Sequence, residues 1–266
     1  MTAKEIRERF KSSGIENYAI ETSILLEEIC GEALEDKEYD SPKLMSAVTK
    51  RCERYPLQYI IGKWWLANCE FFVDESTLVP RPDTETVIDL ARKLLPPNAL
   101  FADLCTGSGC IAISILDLRA DTYADAYELY PKTLDMAKKN AEHNKVTPRF
   151  TPILGDVLDS SLLGEKKYSA IISNPPYIRT DVIDGLETEA KTEPRAALDG
   201  GEDGLVFYRS IVKSFGGNLA EGGFFLFEIG YDQAKGLKMI AEINGFSCEI
   251  YKDLGGCDRA VLLRKN

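Results

Sequence analysis

Two rhythms divide the chain. Over the first eighty residues, apolar positions recur at helical spacing. Thr22, Leu25, Leu26 and Ile29 share one face of a helix predicted from Tyr18 to Cys30, and Gly31 stops it. Ser41 followed by Pro42 supplies an N-cap and a proline at the first helical position, and Leu44, Met45 and Val48 form the next stripe. Both stripes read as helix-packing surface. The stretch 56–62 breaks the helical pattern. Lys63-Trp-Trp-Leu66 and Glu70-Phe-Phe-Val73, joined by Ala67-Asn68-Cys69, predict a β-hairpin whose aromatic residues glue a small unit to a larger one. Val79-Pro-Arg-Pro-Asp-Thr-Glu85 then leads into an amphipathic helix from about Thr84 to Leu95, with Asp83 or Thr84 as its side-chain cap.

From Ala99 onward, short apolar runs alternate with helical stripes. Strands are predicted over 99–104, 124–128, 150–154, 168–173, 223–229, 247–253 and 260–264, the last two joined by Leu254 to Asp258. Helices are predicted to start at Cys110, to run from Pro131 to Asn144 with Leu134, Met136, Ala137 and Ala141 buried, and to run from Leu205 to Leu219. This alternation predicts an α/β fold with an open parallel sheet. The domains expected are 1–76, helical with the hairpin as linker, and 77–266. The acidic stretch between Ile178 and Gly204 is too long for an ordinary connection and reads as a lid or substrate-contact insertion, with Gly200, Gly201 and Gly204 as hinge points.

Composition narrows the function classes. A chain of 266 residues with 44% apolar and 28% charged residues is that of an ordinary soluble protein. Its net charge of −11 argues against a broad grip on nucleic-acid phosphates. Seven cysteines (30, 52, 69, 105, 110, 248, 257) include no Cys-x-x-Cys pair, and His143 is the single histidine, so no zinc site is expected and a cytoplasmic location with reduced thiols fits. The charged N-terminus has no apolar signal core, and no apolar run is long enough to span a membrane.

The chemistry gathers at strand ends. After the first parallel strand, Cys105-Thr-Gly-Ser-Gly109 is a tight turn opening a helix, with Gly107 and Gly109 letting a ligand approach the backbone. Glu128, closing the next strand, is placed to accept ribose hydroxyls. Asp156 suits an adenine amino group and Val157 the adenine ring. Gly107-Ser-Gly-Cys-Ile-Ala112 also satisfies the dinucleotide fingerprint, so the turn alone does not separate NAD from another adenosine cofactor. Asn174-Pro-Pro-Tyr177 follows the fourth strand. Its two prolines fix φ and remove two donors, leaving the Asn174 amide oxygen and the Pro175 carbonyl as acceptors and Tyr177 as a flat wall. Such a cradle suits a planar group bearing –NH2, although Asn-Pro is also a common turn initiator.

The combined pattern resembles class I S-adenosylmethionine-dependent methyltransferases that act on amino groups, and more closely the glutamine methyltransferases of bacterial peptide-chain release factors. The motifs that carry it are Arg54-x-Pro-x-Gln-Tyr-Ile, Pro80-Arg-Pro-Asp-Thr-Glu, Asp103-Leu-Cys-Thr-Gly-Ser-Gly, Asn174-Pro-Pro-Tyr-Ile, Glu193-Pro-x-x-Ala-Leu-Asp-Gly-Gly and Glu228-Ile-Gly. The resemblance implies a Rossmann-like seven-stranded sheet behind a small helical domain that meets the release factor, and a glutamine of a Gly-Gly-Gln motif as the methyl acceptor. It implies S-adenosyl-L-methionine held by Asp103, Cys105, Thr106, Gly107, Ser108, Gly109, Glu128, Asp156, Val157 and Asn174. It implies substrate at Asn174, Pro175, Pro176 and Tyr177, with Arg81 facing the cleft. Three positions depart from the pattern: Cys105 for glycine, Glu128 for aspartate, and Cys257 where arginine usually precedes Asp-Arg. Competing readings are an adenine-N6 nucleic-acid methyltransferase, which shares Asn-Pro-Pro-Tyr, an NAD-dependent oxidoreductase, and a non-enzymatic adaptor using the aromatic hairpin.

Overall fold

A computed structural model describes all residues, 1–266. The first unit is helical: α1 (Ala3–Ser12), α2 (Tyr18–Cys30), α3 (Pro42–Cys52) and the short α4 (Leu57–Ile61). Helix α1 carries a capping box, with the Thr2 hydroxyl accepting from the Glu5 N–H and the Glu5 carboxylate accepting from the Thr2 N–H. Ile6 and Phe10 face a core shared with Leu25, Leu26, Leu44 and Val48. Stretch 56–62, read from sequence as a break, forms a helical turn instead, because Pro56 tolerates the position before a helix and Gly62 ends it in the left-handed conformation.

The hairpin β1 (Lys63–Leu66) and β2 (Cys69–Phe72) turns over Ala67-Asn68 alone, with Cys69 paired to Leu66 rather than in the loop. It spans the two cores: Trp64 packs on the helical cluster, while Leu66, Cys69 and Phe71 enter the core of the sheet. Asn140 holds it there, its Oδ1 accepting from the Phe72 N–H and its Nδ2 donating to the Phe72 carbonyl, at 2.7 and 3.0 Å.

Helix α5 (Glu85–Leu94) follows a 3₁₀ turn over Pro82–Thr84, and neither Asp83 nor Thr84 caps it through a side chain. The remaining elements alternate: β3 (Leu100–Leu104), α6 (Cys110–Leu118), β4 (Tyr123–Glu128), α7 (Pro131–His143), β5 (Phe150–Leu154) and β6 (Tyr168–Ser173). Two short helices, α8 (Thr188–Thr192) and α9 (Arg195–Leu198), precede α10 (Val206–Phe215), β7 (Leu219–Glu228), α11 (Ala234–Ile243), β8 (Phe246–Lys252) and β9 (Asp258–Lys265). The sheet order is β5-β4-β3-β6-β7-β9-β8, parallel except where β9 pairs antiparallel with β7 and β8. In α7, Asn140 takes an inward place and Met136 stays half-exposed, because the hairpin claims a polar partner there.

Helices α5, α6 and α7 cover one face of the sheet, and α10 and α11 cover the other. The order reverses between β3 and β6, and ligands of open α/β sheets bind at such a switch.

The acidic segment 178–204 is folded. Ile178 donates to Leu198 at 2.9 Å, Gly200 to Ile178 at 2.8 Å and Thr180 to Gly201 at 3.0 Å, so the segment closes back on the end of the tetrapeptide. Two of its acids bind distant parts of the chain. Glu189 accepts from Arg54 at 2.6 Å and from Arg51 at 2.9 Å, and Glu193, almost wholly buried, accepts from Arg81 and from the Val79 N–H.

Candidate active site

One cavity opens at the carboxyl ends of β3, β4, β5 and β6. Cys105, Thr106, Gly107 and Ser108 line it from the β3 turn, Glu128, Leu129 and Tyr130 from the end of β4, and Asp156 and Val157 from beyond β5. Asn174 and Pro176 line it beyond β6, and Arg81 with Thr84 from the start of α5. Pro194, Ala196, Ala197 and Asp199 bring the acidic segment to the same space.

The turn owes its shape to Asp103. Fully buried, its Oδ2 accepts from the Thr106 hydroxyl at 2.6 Å and from the Ala112 N–H at 3.2 Å, tying the strand end to the first turn of α6. Burial raises its carboxyl to about 7 against the lowering pull of those two donors. Asp103 therefore shapes the loop and is absent from the cavity wall, contrary to the reading from sequence. Gly109 is also off the wall. Its φ of +83° favours glycine, and a Cβ there would also press on Ile113 Cδ1 at 2.7 Å. Gly107 differs: at φ +57°, an added Cβ would meet nothing within 4 Å. Cys105 holds φ +59°, a left-handed conformation that glycine adopts at lower cost.

Glu128 is more committed than the sequence indicates. Its Oε2 accepts from the Gly107 N–H at 3.0 Å, and its Oε1 accepts from the N–H groups of Leu129 and Tyr130 at 3.0 and 3.1 Å. Burial raises its carboxyl above the ordinary value while these donors oppose the rise. A carboxylate has roughly four acceptor sites, so Oε2 retains capacity for a hydroxyl donor. Ser108 Oγ is buried without a protein partner. Asp156 folds its Oδ1 back onto the Leu158 N–H at 2.8 Å, and Val157 presents a buried apolar wall.

The tetrapeptide divides. Asn174 is half-buried on the wall beside Pro176, whereas Pro175 is buried and off the wall. Tyr177 is off it too: its ring packs on the core behind the sheet, and its hydroxyl lies 3.5 Å from Glu228 Oε1. Arg81 faces the cavity, as the resemblance implies, and also pairs with Glu193. Cys257 is exposed, and only its backbone is used, closing the β8–β9 turn against Asp253.

Sequence reasoning singled out Glu228-Ile-Gly as a motif but gave it no role in the support behind the tetrapeptide. Glu228 ends β7 fully buried, with Oε2 unpartnered, near Arg259, which bonds Asp253, Asp83 and the Ile229 carbonyl. Its signal was a carboxylate closing an otherwise apolar strand, Phe224-Phe-Leu-Phe-Glu228. Burial raises the Glu228 carboxyl from 4.5 to about 7, against the lowering pull of the Thr84 hydroxyl and of Arg259. A raised carboxyl binds its proton more tightly when folded, so stability falls as pH rises from about 4.5 to about 7. Glu228→Gln removes that loss. Its melting temperature relative to wild type is expected to climb across this window and level off above it, and a gap constant from pH 4.5 to 8 in thermal scans excludes a raised Glu228.

No three His, Cys, Asp or Glu side chains converge as a metal site. No helix is long and apolar enough to cross a membrane.

Residues 85–200 match the family model described as "Methyltransferase small domain". A release factor glutamine methyltransferase of Thermodesulfovibrio yellowstonii is 37% identical over 229 residues, covering 84% of this chain and 81% of that protein. One from Geobacter sulfurreducens is 36% identical over 261 residues, covering 93% of this chain and 90% of that protein. Among solved structures, the hMettl16 catalytic domain in complex with the MAT2A 3′UTR hairpin 6 superposes with a TM-score of 0.59 at 15% identity, over 84% of this chain and 81% of that one, a likeness of fold.

Proposed function

This chain belongs to the release factor glutamine methyltransferases, and from that premise we propose that it methylates the side-chain amide nitrogen of a glutamine in a peptide-chain release factor. The donor is S-adenosylmethionine. The observation that carries this reading is convergence: the glycine turn, Glu128, Asp156, Val157 and Asn174 come from four different strand ends and line one cavity.

The residues fit an adenosine-bearing donor. Oε2 of Glu128 has room for a ribose hydroxyl, Gly107 leaves its side of the cavity clear, and Val157 gives an apolar wall against which a base can lie. When bound, the cofactor supplies a sulfonium-activated methyl group. Everything else falls to this chain. A carboxamide nitrogen is a poor nucleophile because its lone pair is delocalised into the carbonyl. We assign one of its N–H groups to the Asn174 side-chain oxygen, which is on the wall, and the other to the Pro175 carbonyl, the next acceptor along the chain. Both bonds strengthen as the nitrogen gains positive character, so they favour the transition state over the ground state. Fixing the nitrogen in line with the methyl carbon can account for roughly 7–11 kcal/mol of barrier. The surplus proton leaves to solvent after transfer, so no strong base is required on the wall. Arg81, held by Glu193, fixes the cavity side of the acidic segment. The work of Tyr177 lies behind the cradle, in setting its backbone.

The test supplies methyl-labelled cofactor to the protein with release factors and with DNA in separate reactions. Label on a release-factor glutamine is expected. Label on DNA adenine, or on neither substrate, overturns the reading.

A further inference from the structure

We infer that Gln233 is a positioning residue for the tetrapeptide Asn174–Tyr177, an inference that rests on the methyl-transfer reading above. Gln233 stands at the N-terminus of α11, five residues past the end of β7, and is buried. Both ends of its amide are engaged. Its Nε2 donates to the Tyr177 carbonyl at 2.9 Å and to the Gly204 carbonyl at 3.0 Å, and its Oε1 accepts from the Gly230 N–H at 2.9 Å. The opposite amide orientation would set an oxygen against two carbonyls and an –NH2 against an N–H, so the network admits only this one.

These three contacts join three separate pieces of backbone: the end of the tetrapeptide, the glycine hinge of the acidic segment, and the exit of β7. The tetrapeptide has few means of fixing itself. Pro175 and Pro176 carry no N–H, and beyond β6 the chain leaves the sheet ladder. Downstream, Gln233 is the one side chain that bonds the Tyr177 carbonyl, and the next residue, Ile178, donates to the Leu198 carbonyl at 2.9 Å and accepts from the Gly200 N–H at 2.8 Å. Removing the Gln233 amide leaves two carbonyls and one N–H unpaired in a buried place, and they recover partners only if the backbone shifts. Asn174 lies three residues upstream across two rigid prolines, so that shift reaches its amide oxygen. Methyl transfer is sensitive to such displacement because nitrogen, carbon and sulfur must stay in line.

The experiment compares wild type, Gln233→Ala and Gln233→Glu in single-turnover methylation of a release factor, with cofactor affinity measured by calorimetry. Gln233→Ala is expected to slow transfer about tenfold or more while the cofactor Kd stays within about threefold. Gln233→Glu carries a distinctive readout. Ionised, it turns oxygens on two carbonyls, whereas protonated it donates to one of them and still accepts from Gly230. Burial between carbonyls raises the pKa of such a carboxyl. Its rate per folded molecule, with the folded fraction fixed by a thermal scan at each pH, should therefore climb relative to wild type as pH falls from 8 to 6, which separates positioning from the pH-dependent stability that a buried carboxyl also brings. If Gln233→Ala fails to fold, this pH ratio decides alone. An active wild type with Gln233→Ala within threefold of its rate, a cofactor Kd weakened in proportion to the rate, or a flat pH ratio for Gln233→Glu overturns the inference. A wild type silent on every release factor overturns the functional reading, and this inference with it.

Discussion

Asn174→Ala is expected to lower turnover by about 10²–10³-fold, the cost of deleting one pre-organised polar partner of a transition state. The position explains the size of the effect. Asn174 directly follows β6, whose pairing with β3 on one side and β7 on the other fixes the strand end, and two prolines stiffen what comes next. The side chain is half-buried on the cavity wall, where a hydrogen bond is worth more than in water. Alanine removes the acceptor without touching the core, so the melting temperature should stay within a few degrees of wild type. Initial rates at saturating cofactor and release factor, read beside a thermal scan, make the check. A variant that turns over within threefold of wild type would show that the substrate amide is held elsewhere.

What could be read from the residues and what could not follow from locality. The sheet was legible because fully buried parallel strands are continuous apolar runs, as in Phe224-Phe-Leu-Phe, and because each was followed by a turn with its own chemistry. The cavity-lining turn 105–108, Glu128, Asp156, Val157 and Asn174 were legible because the switch point gathers strand ends at one edge. Helix α1 went unread although Thr2 and Glu5 spell a capping box and Ile6 and Phe10 a stripe, since its charged surface masked them.

Roles that depend on distant partners were not legible. Nothing near Asp103 in sequence shows that its carboxylate turns inward to Thr106 and Ala112, and nothing near Tyr177 shows that its ring faces Glu228, fifty-one positions on. No sign in the sequence shows that Glu189 and Glu193 of segment 178–204 are paired, because their basic partners, Arg51, Arg54 and Arg81, lie more than a hundred positions away. Through those pairs the segment ties the helical unit to the cavity, and through Gly200 and Gly204 it touches the tetrapeptide itself.

Gly204→Ala is the expected break in that chain of contacts. Gly204 has φ +72°, and a Cβ there would lie 2.4 Å from the Tyr177 carbonyl oxygen and 2.7 Å from Gln233 Nε2. The left-handed conformation costs a side-chain-bearing residue roughly 1–2 kcal/mol. Forcing a methyl into packed space costs about 1–3 kcal/mol more, because the atom in the way is backbone and has no rotamer to change. The expected destabilisation is therefore roughly 2–5 kcal/mol, a large part of the about 5–15 kcal/mol that holds a protein together. The group displaced is the carbonyl that ends the tetrapeptide, so transfer should slow by about 10²-fold even well below the melting temperature. Gly185→Ala supplies the contrast within the same segment: a Cβ there meets nothing within 4 Å and φ is not left-handed, so its stability should change by less than about 0.5 kcal/mol. Denaturant melts and single-turnover rates of the two variants decide the matter. Equal behaviour of Gly204→Ala and Gly185→Ala would mean that the segment lies against the tetrapeptide without holding it.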